Sequence, residues 1–78
     1  MKLAESKVLF SAGGLRNPRA VRAPMEDGWL LQIEINRGRW ETESLIAKSG
    51  KVRVFKTLEA VVSLADGVGF SDLSVSFK

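Results

Sequence analysis

Glu34, Glu41 and Glu43 are the side chains whose type and spacing come nearest to chemistry in this chain. In a hairpin turning at Arg37-Gly38, Glu34 falls opposite Glu41, with Glu43 two residues along on the same face. Neighbouring carboxylates raise one another's pKa or hold a hard cation. The rest of the machinery is missing, because the chain has no His, Cys or Tyr. That removes the usual general base, the commonest metal ligand and every thiol nucleophile. Arg39, Arg53 and Lys56 are available to balance the three glutamates on an ordinary solvated face. The expectation is therefore no catalytic residue, no metal and no cofactor. The glycines change nothing: Gly13-Gly14 and Gly67-Val68-Gly69 neither open a helix with Lys-Ser/Thr nor form the three-glycine dinucleotide pattern.

The cations are more suggestive. Residues 1–24 carry Lys2, Lys7, Arg16, Arg19 and Arg22 against Glu5 alone, so the whole net charge of +3 arises in that third of the chain. Arg16, Arg19 and Arg22 recur every third residue, the period of an extended polyproline-like segment. Such spacing sets three guanidinium groups along one side. Arg37 and Arg39 flank one turn, Lys48 and Lys51 another, and Arg53 lies on the strand after it. A local basic excess favours a polyanion. These eight residues, Arg16, Arg19, Arg22, Arg37, Arg39, Lys48, Lys51 and Arg53, are the candidate phosphate contacts to nucleic acid, with DNA preferred. The competing reading makes 12–28 a solvated Pro/Gly loop crossing the domain.

The elements that must carry these residues centre on 29–56. WLLQIEIN alternates, with Trp29, Leu31, Ile33 and Ile35 on one face and Leu30, Gln32, Glu34 and Asn36 on the other. A two-residue Arg37-Gly38 turn pairs Ile35 with Trp40 and Ile33 with Thr42. A three-residue Lys48-Ser49-Gly50 loop pairs Ile46 with Val52 and Ser44 with Val54, whereas the shorter loop turns Val52 and Val54 to the wrong face. Thr57 is the expected N-cap of a helix with Leu58, Val61, Leu64, Ala65 and Val68 inward, ended by Gly67 or Gly69. Residues 72–77 alternate as a closing strand, with Leu73, Val75 and Phe77 inward. Residues 6–11 read as an opening strand broken at Ala12-Gly13-Gly14. Two prolines argue against regular structure in 15–28. The expectation is one α+β domain over 1–78, of order β-β-β-β-α-β, with a mostly antiparallel sheet and one helix on its inner face.

Leu30, Leu45 and Phe55 point outward in this register. Three apolar side chains clustered on a small sheet suggest a contact surface; the alternatives are cover by the N-terminal segment, or base stacking on Phe55. A domain of this size buries only about 60–65% of its unfolded surface. With disulfides excluded, a homodimer is the stabiliser left. The second functional expectation is accordingly a homodimeric protein–protein adaptor. No stretch approaches the roughly 20 apolar residues of a membrane span, and charges interrupt the N-terminus, so a cytoplasmic location is expected with no membrane or small-molecule partner.

Two resemblances extend this reading. The run Trp29, Trp40, Val52-Arg53-Val54-Phe55, Thr57-Leu58-Glu59-Ala60 and Leu73-Ser74-Val75-Ser76-Phe77 is similar in order to sheet-plus-helix DNA binders of the ethylene-response and integrase-arm type. Those families read DNA with arginines and tryptophans on the outer sheet face. The matching face here is expected to hold Glu34, Glu41 and Glu43, leaving Arg53 to fill such a role. The opening strand, GGLRNPRAVRAP, the Gly-Trp strand and VFKTLEAVVSLADGVGF also resemble short proteins encoded beside partition genes on plasmids and conjugative elements. That likeness implies plasmid maintenance or partition through DNA or partner binding.

Overall fold

The computed structural model describes residues 1–47 and 49–77. In chain order it contains α1 (Leu3–Ser11), β1 (Leu15–Arg22), β2 (Trp29–Asn36), β3 (Trp40–Ser44), α2 (Leu58–Val68) and β4 (Ser74–Ser76). Among the described residues the strands form one mixed sheet of order β3-β2-β1-β4, antiparallel except where β4 runs parallel to β1. The α+β class holds. The sheet is mixed rather than mostly antiparallel, and a helix opens the chain.

β2 and α2 form where their periodicities place them. Leu31, Ile33 and Ile35 are buried under Val61, Ala65 and Val68 of α2. Full burial of each large apolar side chain is worth about 1.5–3 kcal/mol. The Thr57 hydroxyl accepts from the Ala60 amide at 3.2 Å, capping α2 as expected. The helix ends at Gly69, whose φ of +128° suits glycine; a Cβ there would sit 2.5 Å from the Phe10 ring.

Three expectations are corrected. Residues 6–11 belong to helix α1, not to a strand. A short apolar run bounded by polar residues fits either element, and packing decides: Phe10 meets Phe70 edge to face at 4.9 Å, while Leu3 and Leu9 pack on the core. Residues 15–22, expected as an irregular arm, are the inner strand β1. Its prolines do not forbid this, because Pro18 sits in a bulge. Arg16 pairs with Glu34 and Arg19 with Gln32, so Asn17 and Pro18 together face the single Ile33. A bulge asks nothing of the amide that proline lacks. Asn17 takes φ +52°, a conformation asparagine tolerates better than most side chains.

The third correction is register. The first hairpin has a three-residue loop, in which the Arg37 amide donates to the Arg39 carbonyl (2.9 Å) and the Gly38 amide to Asn36 Oδ1 (3.1 Å). Asn36 consequently pairs with Trp40, and Ile35 with Glu41. One residue of slip reverses every side chain of β3. Beyond β3, Ile46 does pair with Val52 as expected, but the expected strand over 51–55 stops there. The chain returns to β2, where Phe55 and Trp29 exchange both backbone hydrogen bonds, at 2.7 and 2.8 Å. Leu45 and Phe55 are thereby drawn into the core, 1% and 5% exposed. Both helices pack against the face that carries Leu31, Ile33 and Ile35. No helix among the described residues is long and apolar enough to cross a membrane.

Candidate functional site

The sheet face turned away from the helices is built from alternate residues of the four strands. β2 contributes Leu30, Gln32 and Glu34, and the slipped register of β3 adds Trp40, Thr42 and Ser44. The bulge in β1 is decisive. Arg16 and Arg19 are three apart in sequence, yet their partners Glu34 and Gln32 are two apart, so both guanidinium groups emerge on this one face. Arg22 does not join them. It pairs with Trp29 on the opposite face, its guanidinium 5.3 Å from the Trp29 ring centroid. Two of the three spaced arginines are brought together.

Arg16 lies 4.0 Å over the Trp40 ring centroid, and its Nε donates to Glu34 Oε1 at 2.7 Å. Asn17 Nδ2 donates to the same oxygen at 3.3 Å. The hydrogen bond from Arg16 holds the Glu34 carboxyl below its ordinary range; desolvation opposes this, and Asn17 adds to it. Arg16 is thus pre-oriented over an indole, with part of its charge taken up by one carboxylate. Arg19 and Arg22 have no carboxylate within ion-pair distance among the described residues.

The other expected contacts are dispersed. Arg37, at the turn, donates to Glu43 Oε2 at 2.8 Å; that hydrogen bond lowers the Glu43 pKa and raises that of Arg37. Glu43 also lies 3.5 Å from the Met1 amino group. Arg39 reaches Glu41 only at 4.0 Å. Lys51 is exposed, Arg53 stands 4.9 Å over the Phe55 ring, and Lys48 falls outside the described residues. The two turns occupy opposite ends of the sheet. Glu41 and Glu43 pair with Ile35 and Ile33, so they leave the face where Glu34 remains. The expected trio of carboxylates is split, and no group of three or more His, Cys, Asp or Glu that could hold a metal ion exists among the described residues.

The expected apolar patch is corrected as well. Leu45 and Phe55 are buried and Leu30 is half-buried, so these three offer no shared open surface. The residue that sequence reasoning missed is Trp40, placed inward by a two-residue turn. Its neighbours Glu41, Thr42, Glu43 and Ser44 are all polar, so hydrophobic alternation could not set the register. The Asn36-Arg37-Gly38-Arg39 loop was the signal available, since Asn and Gly also suit a three-residue connection. No protein-family model matches the chain, and neither a curated protein nor a solved structure is significantly similar to it.

Proposed function

We propose that this chain is a small non-enzymatic nucleic-acid-binding accessory protein that uses its helix-free sheet face. One observation carries the reading: Arg16 and Arg19 share that face with Trp40, and Glu34 is the only carboxylate paired there among the described residues. Arginines that project from a sheet beside an aromatic ring supply both the charge and the stacking surface that nucleic acids recognise. The departure of Glu41 and Glu43 removes the repulsion that the expected register would have set against phosphates. Arg37, Arg39, Lys51 and Arg53 add charge at the two ends. A part in plasmid maintenance or partition rests on the resemblance alone.

The adaptor reading is weaker, because two of its three apolar residues lie in the core. A homodimer would have to form through another surface.

A titration of labelled oligonucleotide against salt tests the proposal. Log affinity should fall linearly with log salt. Arg16→Ala combined with Arg19→Ala should shallow the slope by roughly 1.4–1.8, at about 0.7–0.9 for each phosphate no longer neutralised. An absence of binding at low salt, or an unchanged slope in the double variant, would overturn it.

A further inference from the structure

The sheet ends in β3 on one side and β4 on the other, and only β3 is guarded against further pairing. β3 carries Glu41 and Glu43, and the chain just beyond it is closed off at Ile46, whose amide donates to the Met1 carbonyl at 2.8 Å. β4 has none of the charges, prolines or bulges that ordinarily keep an edge from pairing. Its surroundings, Leu73-Ser74-Val75-Ser76-Phe77, are uncharged throughout. Val75 lies beside the buried Ala20 and Phe77 meets Trp29, so Leu73, Val75 and Phe77 share the helix side, and Ser74 and Ser76 the open side. α2 packs over β1 and β2 rather than β4, which leaves Val75 38% and Phe77 70% exposed. The backbone phase is set by the Ala23 amide, which donates to the Gly28 carbonyl at 3.0 Å. Alternation along an antiparallel ladder then turns the backbone groups of Arg19 and Val21 toward β2, and those of Ala20 and Arg22 toward β4. In the parallel pair Ala20 bonds to the residues on either side of Val75, so the Val75 amide and carbonyl point out of the edge of the sheet.

We propose that β4 is the interface of a two-fold dimer, in which it pairs antiparallel with the same strand of a second copy. The strand is its own complement. A two-fold axis at Val75 sets it opposite the partner's Val75, and sets Leu73 opposite the partner's Phe77. Outward backbone groups then meet outward backbone groups, and apolar side chains meet apolar side chains on the helix side. Serines meet serines on the open side, and no charge is set against another. A foreign strand with charges at these positions would press them against Val75 and Phe77, so a second copy is the occupant that fits. A chain of 78 residues without cysteine also has much to gain from pairing. Such an axis is perpendicular to the sheet, so both open faces stay on one side. Two Arg16–Arg19 pairs would line one continuous sheet, whatever that face binds.

Sedimentation velocity of the full chain over a range of concentrations tests this. The mass should rise from one chain to two as concentration increases. Val75→Pro removes the amide at the axis, and symmetry removes it twice, so self-association should weaken about 5- to 150-fold, the loss of two hydrogen bonds. Proline at an outward-facing edge amide leaves the bonds to β1 in place, so the thermal melt of the dilute protein should change little. The sharper arm places charge at the axis. Val75→Lys alone and Val75→Glu alone should each stay monomeric, and an equimolar mixture of the two should dimerise, because only an axis at Val75 sets the two new charges directly against each other. A wild-type chain that is monomeric at every concentration overturns the proposal. So does a dimer that Val75→Pro leaves intact, or a mixture of the two charged variants that remains monomeric.

Discussion

Arg16 has two partners at once, and only Glu34 can titrate. Glu34 accepts its Nε hydrogen at 2.7 Å, while the Trp40 ring lies 4.0 Å away on the same face. Protonating Glu34 would release the guanidinium for an external anion without moving it off the indole. Because the folded-state pKa of Glu34 is lowered, its contribution to stability is present above the ordinary glutamate value of about 4.3 and is lost as pH falls through the lower folded value. Glu43, held down chiefly by its hydrogen bond from Arg37, behaves in the same sense. Glu34→Gln should therefore flatten part of the acid limb of stability, read from urea midpoints between neutral pH and about pH 3. At neutral pH the same variant should strengthen oligonucleotide binding and steepen its salt dependence by up to about 0.9, since one more cation is free to displace a counterion. Weaker binding by Glu34→Gln would mean that the carboxylate orients Arg16 for the ligand rather than competing with it.

At the scale of the element, β1 is the part on which the site depends. Its bulge converts a spacing of three into a shared face, and Asn17 at φ +52° makes the bulge possible. Asn17→Val should cost about 1–2 kcal/mol, the penalty for a branched side chain in the left-handed region. Asn17→Gly should change stability by much less, losing only the exposed 3.3 Å hydrogen bond to Glu34. Urea denaturation of the pair measures this; equal losses would show that the strand is not held by its backbone conformation. The same bulge explains why β1 was illegible. Leu15 and Ala20 occupy one buried face but stand five residues apart, which fits neither a strand nor a helix period until the extra residue is known. β2 and α2 could be read because eight and eleven residues respectively keep one period throughout. α1 offered only a brief apolar run whose state is chosen by Phe70 and the core. β3, with polar residues after Trp40, held no preference for either face, so its register came from the loop. Trp40 was hidden by that turn, while Arg16 and Arg19 were visible as cations but not as neighbours.

For the whole molecule the division of labour between the two faces makes a sharper demand. Both helices lie on one side, and the residues proposed to bind project from the other, so stability and binding should respond to different substitutions. Ile33 is fully buried at the centre of the core. Ile33→Ala should cost about 2–5 kcal/mol. In a domain of this size each kcal/mol moves Tm by about 4–8 °C, so the loss should be roughly 8 °C or more. Arg16→Ala with Arg19→Ala removes one solvated ion pair and one cation–π contact, both minor contributors at an open surface, so Tm should fall by no more than several degrees. Oligonucleotide binding should show the reverse order: nearly intact for Ile33→Ala at a temperature where it remains folded, and greatly reduced for the arginine pair. Thermal melts and anisotropy on the same samples decide the matter. If the double arginine variant melts as low as Ile33→Ala, the Arg16–Trp40–Glu34 cluster is holding the bulged strand in place, and its charge is a structural device rather than a surface offered to phosphates.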